Sequence, residues 1–269
     1  MRDRKVGVVM ACRNEEQTIE KTLEGLKNQT LLPIEIVIVN DGSTDRTGEI
    51  ARSFGCKVVD LPDAGYLKTG TPEHAKTLNN GLRLLSKSLD YVMILGADHL
   101  LPPNYIEEIV SRMEADPRLV VASGVIKGER TYEEHARGSG RIVKADFWRK
   151  FDLLYPENWG WEPWIEYKAM QLECTSKSFS DLVTEARSTS MTPRKMIGWG
   201  KAMRALGYYW VYAWGRCVLT FFKSPKLGVS MLRGYLSSYL VKPDVSHWVD
   251  KYQRRVLWKR TKEILKRFR

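Results

Sequence analysis

Short blocks of apolar, largely β-branched residues alternate with polar stretches whose apolar positions recur at helical spacing. The first block, Val6–Cys12 (VGVVMAC), offers nothing charged to water, so it reads as a strand covered on both faces. Ile19, Leu23 and Leu26 then fall on one side of a helix over roughly Glu16–Lys27. Ile34–Asn40 (IEIVIVN) predicts a second strand. It ends in Asp41-Gly42-Ser43-Thr44-Asp45, a turn and capping sequence that opens a helix running to about Phe54. Cys56–Leu61 predicts a third strand and Glu73–Ser88 a helix beyond the Pro62–Pro72 loop. Tyr91–Leu95 (YVMIL) predicts a fourth strand that runs into Gly96-Ala97-Asp98-His99. Strands alternating with helices build βαβ units, hence an α/β fold with a mostly parallel sheet flanked by helices.

Further along, Leu119–Val125 and the shorter Arg141–Ala145 predict strands, and Ile165–Gln171 a helix. From about Met196 the character changes. Ala205–Phe222 is a run of 18 residues with Arg216 as its only charge, and Leu227–Val241 is a second apolar stretch beyond Ser224-Pro225-Lys226. A span of the ~30 Å hydrocarbon layer takes about 20 apolar residues. The first run is short of that and carries an arginine. Tyr and Trp favour the headgroup level, so these segments read as interfacial or re-entrant helices. In His247–Arg269, Trp248, Tyr252, Val256, Ile264 and Leu265 recur at helical intervals among 9 Lys/Arg and 2 acids, the pattern of a basic amphipathic surface helix.

Charge sharpens this division. The net charge of +11 is split between a mildly acidic front, with 24 Lys/Arg against 29 acids in residues 1–186, and a basic rear, with 19 against 3 from Arg187 onward. The sequence therefore divides into 1–190 and a basic helical tail, 191–269, that faces something anionic. An anionic membrane surface is the expected partner. A nucleic acid is not: no recognised nucleic-acid motif is present, and the acidic front would have no role. Cys12, Cys56, Cys174 and Cys217 form no C-x-x-C pair, which argues against a zinc site or a disulfide framework. Val6–Ala11 is too short for a signal core. The expected location is the cytoplasm, peripherally on the cytoplasmic face of the membrane.

In parallel sheets ligands bind beyond the carboxyl ends of the strands, and the polar clusters fall there: Arg13-Asn14-Glu15, Asp41–Asp45 and Asp98-His99. Asp98 suits a divalent cation, Mn2+ or Mg2+, with His99 as a second ligand that favours Mn2+. Asp41 suits a base imide or a ribose hydroxyl. Trp159, Trp161 and Trp164 surround Glu162 and stand near Glu166. A carboxylate buried among tryptophans is pushed toward a neutral pKa and can act as a general base, with Glu162 first in line and Glu166 second.

These elements taken in order resemble a family 2 glycosyltransferase of the GT-A fold. The carriers are Ala11-Cys12-Arg13-Asn14-Glu15-Glu16, Val39-Asn40-Asp41-Gly42-Ser43-Thr44-Asp45, Leu78-Asn79-Asn80-Gly81, Leu95-Gly96-Ala97-Asp98 and Gly160-Trp161-Glu162. The resemblance covers about residues 5–190. It implies a nucleotide-sugar donor, UDP- or GDP-linked, with Arg13, Glu15, Asp41, Asn79, Ala97 and Asp98 lining it. It also implies transfer with inversion to an acceptor hydroxyl or phosphate, and the tail adds the expectation of a lipid-linked or glycan acceptor. The chain departs from the family where Gly96 stands in place of the first acid of Asp-x-Asp, and where Pro163 follows Glu162 instead of Asp. It also lacks a histidine between His135 and His247. Two alternatives stand beside this reading: a catalytically degenerate sugar-nucleotide binder, which Gly96 keeps open, and a nucleic-acid-binding protein that uses the basic tail. A nucleotidyltransferase is disfavoured because no glycine-rich phosphate loop follows the first strand.

Overall fold

The computed structural model describes residues 4–129, 133–187, 190–237 and 240–267, the last eight of these as backbone only. Seven strands form one sheet: β1 (Val6–Cys12), β2 (Glu35–Asp41), β3 (Lys57–Leu61), β4 (Tyr91–Ile94), β5 (Leu119–Ile126), β6 (Arg141–Lys144) and β7 (Thr175–Thr184). Their order is β3-β2-β1-β4-β6-β5-β7. β1, β2, β3 and β4 pair in parallel, as do β5 and β7, whereas β6 runs antiparallel to both of its neighbours. The sheet is therefore mixed, with a parallel half that follows the predicted βαβ units.

Alternate residues of the central strands feed two cores, which is why those strands read as continuous apolar runs. Val9, Val37, Val92 and Val143 face α3 (Pro72–Leu82), α5 (Ala145–Arg149) and α6 (Trp161–Gln171). Val8, Met10, Ile38, Met93 and Ile142 face α1 (Ile19–Lys27) and α4 (Tyr105–Ala115). The short α2 (Thr47–Ser53) adds Ala51 to the second core. The predicted helix over Glu73–Ser88 stops at Leu82. Beyond it the Ser86 N–H donates to the Glu35 carboxylate at 2.7 Å, while Leu85 and Leu89 turn into the core.

The tail is helical, as expected, but its first apolar run is not one helix. α7 (Pro193–Ala205) ends before Gly207, which sits in the left-handed region at φ 70°, and α8 (Trp210–Lys223) starts afresh. α8 is about 21 Å long at 1.5 Å per residue. No described helix is long and apolar enough to cross a membrane. α7, α8 and α9 (Pro225–Tyr235) share a small core of Met196, Met203, Ala213, Cys217, Met231 and Tyr235. α10 (Ser246–Arg267) returns Val249 to the core beside α6, while the side chains of Ile264 and Leu265 lie outside the described residues.

Candidate functional site

The loops that leave β1 and β2 are laced together. Asn14, in the left-handed region at φ 54°, accepts the Thr44 N–H at 2.9 Å. Glu15 N–H donates to Thr47 Oγ1 at 2.7 Å, and Glu16 N–H to Asp45 at 3.1 Å. This lacing explains the Asn-Asp-Gly-Ser-Thr-Asp sequence: its short oxygens satisfy backbone donors of the neighbouring loop. Arg13 then reaches across, donating to the Asp41 carbonyl at 3.0 Å and pairing with Asp63 at 2.6 Å. The Asp41 carboxylate is buried and paired with Lys68 at 2.5 Å, from the loop after β3. Lys68 carries no sequence signal. Only the fold of that loop over the sheet end brings it in.

The third strand end adds Asp98. Its carboxylate lies 3.9 Å from Arg187, and the same guanidinium holds Glu15 at 2.5 Å. Two acids from different strand ends, 83 positions apart in the chain, therefore converge on one cation. Arg187 follows β7, whose end is pinned to the Asp98 loop by paired backbone bonds between Leu100 and Glu185 at 2.7 and 3.0 Å. Arg187 escapes a sequence reading because only the β5–β7 pairing carries it there.

Three expected contributors are placed otherwise. His99 is 1% exposed, and both of its ring nitrogens are engaged, Nδ1 with Ser139 Oγ at 2.5 Å and Nε2 with Thr184 Oγ1 at 2.7 Å. Thr184 gives its proton to the Val125 carbonyl and Ser139 Oγ accepts the Gly96 N–H. Nε2 thus carries the ring hydrogen and Nδ1 accepts. Burial drives the imidazole pKa down to about 4, so it stays neutral. With no lone pair free beside Asp98, His99 is a strut for the loop and not a metal ligand. Asn79 is likewise buried, and its amide makes two bonds to the Tyr155 backbone, both 2.9 Å. Ala97 is buried with its carbonyl accepting from Thr22 at 2.9 Å. Both hold the scaffold and present no side-chain polar atom to a donor.

The two candidate bases also separate. Glu166 is buried and bound to Arg141 and His135, each at 2.9 Å. It is a structural counter-charge, and its hydrogen bond raises the His135 pKa. Glu162 is instead exposed, so the expected burial among tryptophans does not apply to it. Its side chain lies against Gly138, where a Cβ would overlap Oε1. The next residue, Ser139, is the one that grips Gly96 and His99. One dipeptide therefore sits between the Asp98 loop and Glu162. Beside Glu162 opens a cavity of about 250 Å3, lined by Trp159, Trp161, Trp199, Tyr208 and Arg216 among others.

A divalent cation fits the Asp98 side of this site. Mg2+ and Mn2+ take hard oxygen donors and need only one or two carboxylates when substrate phosphates complete the shell. Among the described residues no group of three or more His, Cys, Asp or Glu could hold a metal alone.

The glycosyl transferase family 2 model matches residues 7–173. A poly-beta-1,6-N-acetyl-D-glucosamine synthase of Staphylococcus epidermidis is 31% identical over 123 residues, 44% of this chain and 28% of that protein. A 4,4'-diaponeurosporenoate glycosyltransferase of Staphylococcus aureus is 38% identical over 68 residues, 25% of this chain and 18% of its own. The chain thus spans less than a third of the length of the relatives it matches. Among solved structures, a mannosyltransferase of Pyrobaculum calidifontis in complex with GDP-Man and Mn2+ aligns with a TM-score of 0.59 at 17% identity, over 95% of this chain and 74% of its own. S. aureus TarS in complex with UDP-GlcNAc gives 0.53 at 19%, over 72% and 64%. At such identities the likeness is one of fold. The family match runs through β1, β2 and β4, whose ends carry the acids, and spans well over half of the sequence: the chain belongs to glycosyl transferase family 2 and has the GT-A fold.

Proposed function

We propose that the protein transfers a sugar from a UDP- or GDP-linked donor to an acceptor hydroxyl or phosphate, with inversion, at the carboxyl ends of β1, β2 and β4. The observation that carries this reading is the convergence of Glu15 and Asp98 on Arg187, with Asp41 nearby and Glu162 just across the Gly138-Ser139 dipeptide. Arg13, Glu15 and Asp41 bind the base and ribose. Asp98 holds Mn2+ or Mg2+, which when bound neutralises charge on the departing nucleoside diphosphate. Arg187 exchanges its carboxylates for the diphosphate oxygens and so adds a fixed positive charge at the leaving group. Glu162 takes the proton of an acceptor hydroxyl as that oxygen attacks the anomeric carbon from the face opposite the diphosphate.

The tail supports a peripheral place on an anionic membrane surface, on the cytoplasmic face, and with it a lipid-linked acceptor. Trp210, Trp214, Leu219 and Phe222 of α8 are exposed, as is Trp258 of α10, amid the basic rear of the chain. A nucleic acid has no part in this reading.

Calorimetric titration with UDP and with GDP, each in Mn2+ or EDTA, tests the donor site. One nucleotide binds at least tenfold more tightly with Mn2+, and Asp98→Ala loses that gain. Equal affinity for both nucleotides, unmoved by metal or by Asp98→Ala, refutes the assignment.

A further inference from the structure

Arg216 is the only charge of α8 before its last residue, Lys223, and among the described residues no carboxylate pairs with it. Its guanidinium lies over the Trp199 ring, 5.3 Å from the centroid. A guanidinium on an aromatic face keeps its N–H edge free for a planar anion. Arg216 and Trp199 both line the 250 Å3 cavity, which also reaches Glu162. One cavity therefore joins a carboxylate, aromatic side chains and an uncommitted cation.

α8, which gives Arg216 to this cavity, carries an apolar outward side. Ala213 and Cys217 are buried against α7 and α9, and Trp210, Trp214, Val218, Leu219 and Phe222 face away, Phe222 being 81% exposed. Such a face seldom persists on a protein that meets only water. The surrounding charge is strongly positive, which excludes a cationic partner and suits a negatively charged one.

We propose, resting on the transferase reading above, that this cavity is the acceptor site and that its acceptor is a membrane amphiphile with a hydroxylated ring joined through a phosphate to an apolar chain. The ring lies among Trp159, Trp161 and Trp199 with one hydroxyl at Glu162. The phosphate pairs with Arg216, and the chain follows α8 into the membrane surface. In the reaction the acceptor C–O–H oxygen forms the bond to the anomeric carbon, and its proton passes to Glu162. The bond from that carbon to the β-phosphate oxygen breaks, its electron pair leaving with the nucleoside diphosphate.

The probe is phosphatidylinositol, which has this chemistry. Full-length wild type, Arg216→Ala and Arg216→Lys are mixed with vesicles of phosphatidylcholine containing phosphatidylinositol or, at equal charge, phosphatidylserine. Co-sedimentation reads binding without turnover, and nucleoside diphosphate release from the donor reads acceptor use. Wild type prefers the inositol vesicles and is stimulated by them. Arg216→Ala lowers that preference about tenfold or more, the worth of a charged hydrogen bond, and Arg216→Lys restores part of it. Equal binding to both anionic vesicles, or a preference that Arg216→Ala leaves intact, overturns the site. Equal stimulation by water-soluble glycerophosphoinositol overturns the membrane source. Selective binding without donor release in any form would sink the transferase reading and leave the cavity assignment standing. A thermal melt of each variant confirms that it is folded.

Discussion

Gly138→Ala isolates the position of Glu162 from its chemistry. A Cβ at residue 138 overlaps Glu162 Oε1 and comes within 2.9 Å of Cδ. Carbon atoms are at ease at about 3.5–4.0 Å, so the carboxyl group must retreat by roughly 1 Å. Glu162 is exposed and can move, and Gly138 is not in the left-handed region, so the fold tolerates the methyl. Stability should change by no more than about 0.5–1 kcal/mol, the surface and glycine-replacement scale. A misplacement of this size costs about 10^2 in rate, or about 2.7 kcal/mol of barrier. The assay is steady-state sugar transfer, with Glu162→Gln as reference, since loss of a general base costs about 10^2–10^4. The double variant should be no slower than Glu162→Gln alone, because both act through one carboxylate. Wild-type rates in Gly138→Ala, or penalties that multiply in the double variant, would refute Glu162 as the base.

Other residues give separable outcomes. Arg187→Ala should weaken nucleoside diphosphate binding about tenfold or more in calorimetry and make it depend more steeply on Mn2+, because the fixed charge is lost. Glu166→Ala leaves Arg141 buried without its counter-charge. It should cost about 3–5 kcal/mol of stability in urea unfolding. His99 stays neutral in the folded protein down to about pH 4, while the unfolded chain takes up its proton below about 6.5. Stability should fall as pH drops through that window, by about 3 kcal/mol in all, with His74, also lowered by burial, acting in the same direction. His99→Gln should flatten the slope between pH 6.5 and 4, measured as the urea midpoint at each pH.

The strands β1, β2 and β4 are legible because burial on both faces demands unbroken apolar runs. β7 is not, since TSKSFSDLVT is polar at most positions and buries only scattered ones. α4 carries the helical period in Tyr105, Ile109 and Met113 and could have been read from it. Arg13, Glu15, Asp41 and Asp98 are legible because strand ends in a parallel sheet point at one place. Neighbours in sequence mislead: Asp98 faces the open site while His99 turns to Ser139 and Thr184, and Ala97 turns to Thr22. Asn79 sits in a motif, yet its amide holds Tyr155. Lys68 and Arg187 come from elements whose approach depends on the whole fold, and no local pattern marks them; Arg216 stands out as the lone charge of its apolar run, but only the fold carries it to the cavity beside Glu162.

Nucleoside diphosphate release from a panel of UDP- and GDP-sugars, with Mn2+, Mg2+ or EDTA, tests the central claim most directly. The account predicts metal-dependent release from one donor by the wild type and its loss in Asp98→Ala, while Asp98→Ala keeps its thermal transition. Release that persists in Asp98→Ala, or none from any donor with membrane lipid supplied as acceptor, would contradict it.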